Sequence, residues 1–173
     1  VFPADCRPAG IRMNPTKPPF NDKRMRQAVN LAFDRVAFGE VTYDGRYGAA
    51  LIFLGGGSFG RPISEIWDVA PGWGKGAKKQ QEIDQAKQIV KDLYPNGLDI
   101  SQLNQTPTSD TSSQVVQQHL AKIGIRTTIE SVQTVDADKR RADLNYILEV
   151  GRFCQTTNDP DEMWGSYFIT GGS

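Results

Sequence analysis

The sequence predicts an α/β fold in which helices cover a sheet. Two observations carry this. From residue 81 onward, segments with apolar residues at three- and four-residue steps alternate with segments in which apolar and polar residues alternate singly. The 173 residues are 38% apolar, enough for one domain with a core of its own. No internal repeat or low-complexity tract interrupts this pattern.

Taken in order, residues 1–20 are proline-rich and resist helix, though Gly10–Asn14 can form a short strand. Asn21-Asp22 is a good capping pair directly after Pro-Pro-Phe. Met25, Ala28, Val29, Ala32, Phe33 and Val36 then mark one stripe, predicting a single helix of roughly sixteen residues. Residues 39–80 read as irregular, punctuated by Gly55–Gly57, Gly72, Gly74 and Gly76, with Trp67 and Trp73 between. Ile83, Ala86, Ile89, Val90 and Leu93 mark a helix that Pro95-Asn96-Gly97 stops. Leu98–Leu103 follows as a strand. Asp110-Thr111 is read as the cap of a helix with Val115, Val116, His119, Leu120 and Ile123 on its apolar side, ended by Gly124. Ile125, Thr127 and Ile129 predict a strand, 134–142 a short polar helix, and Leu144–Val150 a further strand. Asp159-Pro160 opens a last helix faced by Met163, Trp164, Tyr167 and Phe168.

Twenty basic residues balance twenty acidic ones, so charge offers no argument for nucleic acid or an anionic membrane surface. No apolar run approaches the roughly 20 residues of a membrane span. The N-terminal VFPADC lacks the basic and apolar regions of a secretory signal, and both ends are consistent with an excised domain. A lone histidine and two cysteines, Cys6 and Cys154, do not make a zinc site; a disulfide and two buried thiols are equally open on cysteine count.

The glycine-rich stretches GGGSFG and GWGKGAKK lack the Gly-Lys-Ser/Thr of a phosphate loop and read as flexible loops. No serine or cysteine lies in a nucleophile elbow, His119 reads as packed or half-exposed, and nothing calls for a cofactor. The segment Gly151–Asp159 is different. There a strand gives way to a polar loop and a capped helix, and ligands of open α/β sheets gather outside the carboxyl ends of strands.

Several segments resemble one family. Residues 14–28, NPTKPPFNDKRMRQA, are similar to the "N…PPF-D-x-R-x-R-Q-A" signature of family 5 solute-binding proteins. Ala32–Arg35 resembles the "A-x-D-R" that follows it. DQAKQIVKDLYPNG at 84–97, QQHLAKIGI at 117–125 and Asn158–Asp161 match further segments in the family's order. The resemblance implies a periplasmic-binding-protein-like (type II) lobe with a mixed sheet flanked by helices, the second lobe of a two-lobed receptor. It implies a non-enzymatic, monomeric, periplasmic or extracytoplasmic protein. Such a protein would capture a peptide or other small molecule for an ABC permease, with no nucleic acid partner. Arg152, Phe153, Gln155, Thr156, Thr157, Asn158, Asp159, Trp67 and Trp73, with the loop 104–110, would line one wall of the cleft. The resemblance also implies a disulfide between Cys6 and Cys154. Peptide-binding relatives place an aspartate before the position of Asp159 to meet the ligand's amino group. Here that stretch reads Gln155–Asn158, which makes a neutral, anionic or aromatic solute at least as plausible as a free peptide. A hydrolase-type catalytic domain and a sensor or protein-binding domain are the alternatives.

Overall fold

The computed structural model describes residues 9–43, 62–152 and 161. Its elements are β1 (Ala9–Met13), α1 (Lys23–Ala32), α2 (Arg35–Tyr43), a 3-10 turn (Ile63–Glu65), α3 (Gly76–Leu93), β2 (Leu98–Gln105), α4 (Asp110–Ala121), β3 (Ile125–Val132), α5 (Thr134–Ala142) and β4 (Leu148–Arg152). The four strands form one mixed sheet in the order β1-β4-β2-β3. Strand β2 runs parallel to β3 and β4, while β1 runs antiparallel to β4.

Pleating gives the sheet two unlike faces. On the first, Leu98, Ile100, Gln102 and Asn104 of β2 look toward α4. The Gln102 amide donates to the Ser113 carbonyl there at 2.8 Å. Leu148, Val150 and Ile125 join Val116, Leu120 and Ile123 in a core that Phe20, Met25, Ala28 and Val29 complete from the side of α1. Helix α3 packs on α1 as an outer layer. On the second face, pairing sets Arg12, Glu149, Leu103 and Glu130 in one row. Helix α5 covers that row. Ala137 is fully buried, Arg140 reaches Glu130 at 2.8 Å, and Arg141 Nε stands 3.3 Å from Glu149 Oε1.

Five expectations are corrected. The single helix over Asn21–Val36 is two helices, because Asp34 turns its carboxylate onto the Val36 and Ala37 amides at 3.0 and 3.1 Å and starts α2 afresh. The irregular stretch is shorter than 39–80, since α2 runs on to Tyr43 and α3 begins at Gly76. Strand β2 extends two residues beyond Leu103, to Gln105. Ser109, not Asp110, holds the cap position of α4, and Asp110 lies in its first turn. The strand expected from Leu144 begins at Leu148 instead. Leu144 is exposed with a φ of 49° in a turn whose amides bond back to α5. The polar helix at 134–142 and the strand at Gly10–Asn14 appear, the latter as Ala9–Met13. Cys6, Phe153–Pro160, the GGGSFG stretch and the last helix's apolar residues lie outside the described residues. Among the described residues no helix is long and apolar enough to cross a membrane.

Candidate functional site

The three parallel strands end at the same edge, at Gln105, Val132 and Arg152. The antiparallel β1 starts there, with Ala9 opposite Arg152. At this edge the inward row of β2 turns from apolar to polar. Asn104, almost fully buried, donates to Asp110 Oδ1 at 2.6 Å and to Ser131 Oγ at 3.0 Å, and accepts from Ser113 Oγ at 2.7 Å. Thr106 Oγ1 donates to the other Asp110 oxygen at 3.2 Å, and the Thr106 amide bonds the Val132 carbonyl. Asp110 thus ties the 106–109 loop to the start of α4, where a negative charge is favoured by the helix dipole. Ser109 Oγ, one residue earlier, is buried without a hydrogen-bond partner among the described residues.

Chemically this edge offers neutral amides and hydroxyls around one carboxylate that is already engaged at both oxygens. It suits hydrogen bonding to a polar solute. Among the described residues no cluster of histidine, cysteine or carboxylate groups could hold a metal ion.

The sequence-predicted residues divide between two ends of α4. Arg152 ends β4 and marks where the polar segment 153–159 departs. Trp67 and Trp73 belong elsewhere. Their rings meet edge-on at 5.5 Å, and Trp73 is buried with the Arg35 guanidinium 4.4 Å over its ring. Arg35 also covers Phe33, and Phe33 meets the His119 ring at 5.4 Å. His119 is in the last turn of α4. Asp110 is in its first turn, roughly 13 Å away along the helix. The tryptophan cluster is therefore anchored at the end of α4 remote from the Asn104 network, and Trp73 is a packing pillar under Arg35.

Burial brings Arg35 down to about 10 and holds His119 down at about 4, so the imidazole is neutral. On the second face, burial raises the Glu149 carboxyl above the usual range despite the nearby Arg12 and Arg141. Sequence reasoning named the 104–110 loop but missed Ser113 and Ser131. The available signal was Gln102 and Asn104 standing at the inward positions that Leu98 and Ile100 begin.

A model of the bacterial extracellular solute-binding proteins, family 5 (middle region), matches residues 3–173. The chain belongs to this family. Among curated family relatives, a probable di/tripeptide-binding protein 5 of Pseudomonas aeruginosa (strain UCBPP-PA14) is 26% identical over 161 residues, covering 90% of this chain and 28% of that protein. Two solved structures share the fold. One is an ABC transporter-associated periplasmic binding protein of Helicobacter pylori in complex with peptide STSA, with a TM-score of 0.70 and 21% identity over 90% of this chain and 28% of that one. The other is a periplasmic binding protein of A. tumefaciens R10 in complex with agropinic acid, with a TM-score of 0.69 and 21% identity over 93% of this chain and 32% of that one. This family 5 chain spans less than a third of the length of these relatives.

Proposed function

We propose that the chain is a ligand-binding lobe of an extracytoplasmic solute receptor, the second of two lobes, which captures a small solute for an ABC permease. Family membership sets the class, and the Asn104 network at the carboxyl edge carries the reading to a site. The buried, hydrogen-bonded Asn104–Asp110–Ser113–Ser131 cluster beneath an edge loop holds that loop in one shape, which is what a binding wall needs. The wall we propose is made of residues 104–110, from the end of β2 to the first turn of α4, with Arg152, Phe153, Gln155, Thr156, Thr157, Asn158 and Asp159. Trp67 and Trp73 are left out of it because of their anchorage at the far end of α4.

A neutral, anionic or aromatic solute fits this wall at least as well as a free peptide, since Gln155–Asn158 supplies no carboxylate to meet an ammonium group. The named relatives bind peptide STSA in one case and agropinic acid in the other, so this fold accommodates both classes. The reading makes the protein a binder rather than an enzyme, working outside the cytoplasm as a monomer with the permease as its membrane partner. The pairing of Ala9 with Arg152 also supports a Cys6–Cys154 bridge, because it brings together the two chain segments that lead to these residues.

The test is thermal unfolding and calorimetric titration of the full-length parent protein against peptides, N-blocked peptides, sugar acids and aromatic acids. A binder raises the melting point as ligand is added. The reading expects the N-blocked or acidic solutes to do so, and Asn104→Ala to weaken the effect. No response to any class would sink it.

A further inference from the structure

We propose that the glycine-rich segment Gly72–Gly76 is a built anion-binding site whose ligand is the protein's own Glu82 carboxylate. The GWGKGAKK sequence brings closely spaced glycines and lysines together without the spacing or the Ser/Thr of a phosphate loop. The structure shows what those residues do. The Gly72 amide donates to Glu82 Oε1 at 2.8 Å and the Gly74 amide donates to Oε2 at 3.1 Å. The Lys79 ammonium stands 2.6 Å from Oε2. Two backbone N–H groups and one cation thus converge on a single oxyanion, the arrangement by which backbone nests hold anions.

The backbone is shaped for that approach. Gly72 has a φ of +84°, and a Cβ on it would lie 2.5 Å from the Asn30 carbonyl oxygen. A Cβ on Gly74 would lie 2.9 Å from Glu82 Oε2 itself. Glycine at 74 is what lets the carboxylate come close, as it does for a phosphate. Behind the nest, Arg35 donates to the Gly72 carbonyl. Lys79 donates to that same carbonyl at 2.8 Å, and to the carbonyls of Leu31 and Phe33 at 3.2 Å each. One ammonium therefore satisfies the internal anion and the open carbonyls at the end of α1 together. Lys79 and Glu82 are both buried, so the site is closed to external anions while Glu82 occupies it.

The ligand class is a small carboxylate, and removing Glu82 opens the site to one. The test compares the wild-type chain with Glu82→Ala by thermal unfolding in sodium formate and in sodium chloride of equal ionic strength. The variant should melt on the order of 10 °C lower, because it leaves a buried ammonium unpaired. About 0.1 M formate, but not chloride, should raise its midpoint while leaving the wild type where it was. Equal responses of the two proteins to formate would overturn the proposal. If Glu82→Ala does not fold, Glu82→Gln is compared with the wild type by amide hydrogen exchange. Loss of the charge should speed exchange at Gly72 and Gly74 by roughly tenfold or more, and unchanged protection at both amides would refute an anion site.

Discussion

Two buried side chains show how individual residues hold this fold. Asn14 is fully buried just past β1. Its amide donates to the carbonyls of Leu144 and Tyr146 at 3.0 and 2.9 Å, and its oxygen accepts from the Thr16 amide and hydroxyl. Asn14→Ala leaves these groups unpaired and should cost roughly 2–4 kcal/mol in urea unfolding. Asn14→Asp should cost more, since a carboxylate would face two carbonyl oxygens without a proton to give. His119 makes a different prediction. Its ring packs on Phe33, with Lys122, Lys79 and Asp34 as the charged groups that face it, and burial lowers its pKa from 6.5 to about 4. The unfolded chain therefore binds a proton in a pH range where the folded chain does not. The stabilising contribution is complete above about pH 6.5 and is lost as the pH falls toward 4, amounting to about 3 kcal/mol over that window. Unfolding free energies measured at pH 7 and pH 4.5 should differ less in His119→Leu than in the wild type. An identical pH dependence in the two proteins would rule out His119 as the source.

At the level of elements, the break between α1 and α2 turns on Asp34. Its two bonds to the Val36 and Ala37 amides replace the helical bonds that a continuous helix would make, and the Arg35 guanidinium lies over Trp73. Asp34→Ala should cost about 1 kcal/mol, the usual worth of a helix cap, read as a shift of the urea midpoint with unchanged slope. Asp34→Asn should recover most of it. The same site shows what periodicity can and cannot reveal. Met25, Ala28, Val29, Ala32 and Phe33 do share a buried or half-buried stripe, so the sequence located α1 well. An aspartate after that stripe reads equally as a solvated helix residue or a cap, and only the packing of Arg35 decides. Leu144 and Tyr146 extend the alternation of Leu148 and Val150, yet Asn14 pulls their carbonyls into a turn and no strand forms there. Lys79 and Glu82 look like surface charges on a polar helix start. Their burial depends on the Gly72–Gly74 backbone folding back over α3 and on the carbonyls of Leu31 and Phe33 at the end of α1, a distant contact that no local pattern records. At the polar edge the segment 104–110 was legible through its turn-forming and hydrogen-bonding residues, whereas Ser131 joins Asn104 only through the parallel register of β2 with β3, and Ser113 only through the packing of α4 on β2.

On the scale of the whole molecule, the decisive contact joins the two ends of the sequence. Strand β1 pairs with β4 across nearly the full length of the described chain, with Arg12 opposite Glu149 and Ala9 opposite Arg152. Closing so long a loop is slow and entropically costly, and among the described residues β1 is a five-residue strand at the edge of the sheet. A covalent link just beyond the paired residues would remove much of that cost from the unfolded state. Cys6 precedes Ala9 by three residues and Cys154 follows Arg152 by two, so the bridge we propose would sit just outside the paired register. The expected outcome is that the chain, purified from an oxidising compartment, gains the mass of two hydrogens on reduction under denaturing conditions. Reduction should also lower unfolding stability by roughly 2–5 kcal/mol, the range for native bridges that close long loops. A Cys6→Ser, Cys154→Ser double variant should match the reduced protein and be indifferent to reductant. The loss should fall first on β1, so the amides of Gly10 and Arg12, which face β4, should lose exchange protection before those of β2 and β3 do. No mass change on reduction would remove the bridge, and the edge strand would then be held by its ladder, the packing of Ile11 and Met13 on the core and contacts such as Arg12–Glu149.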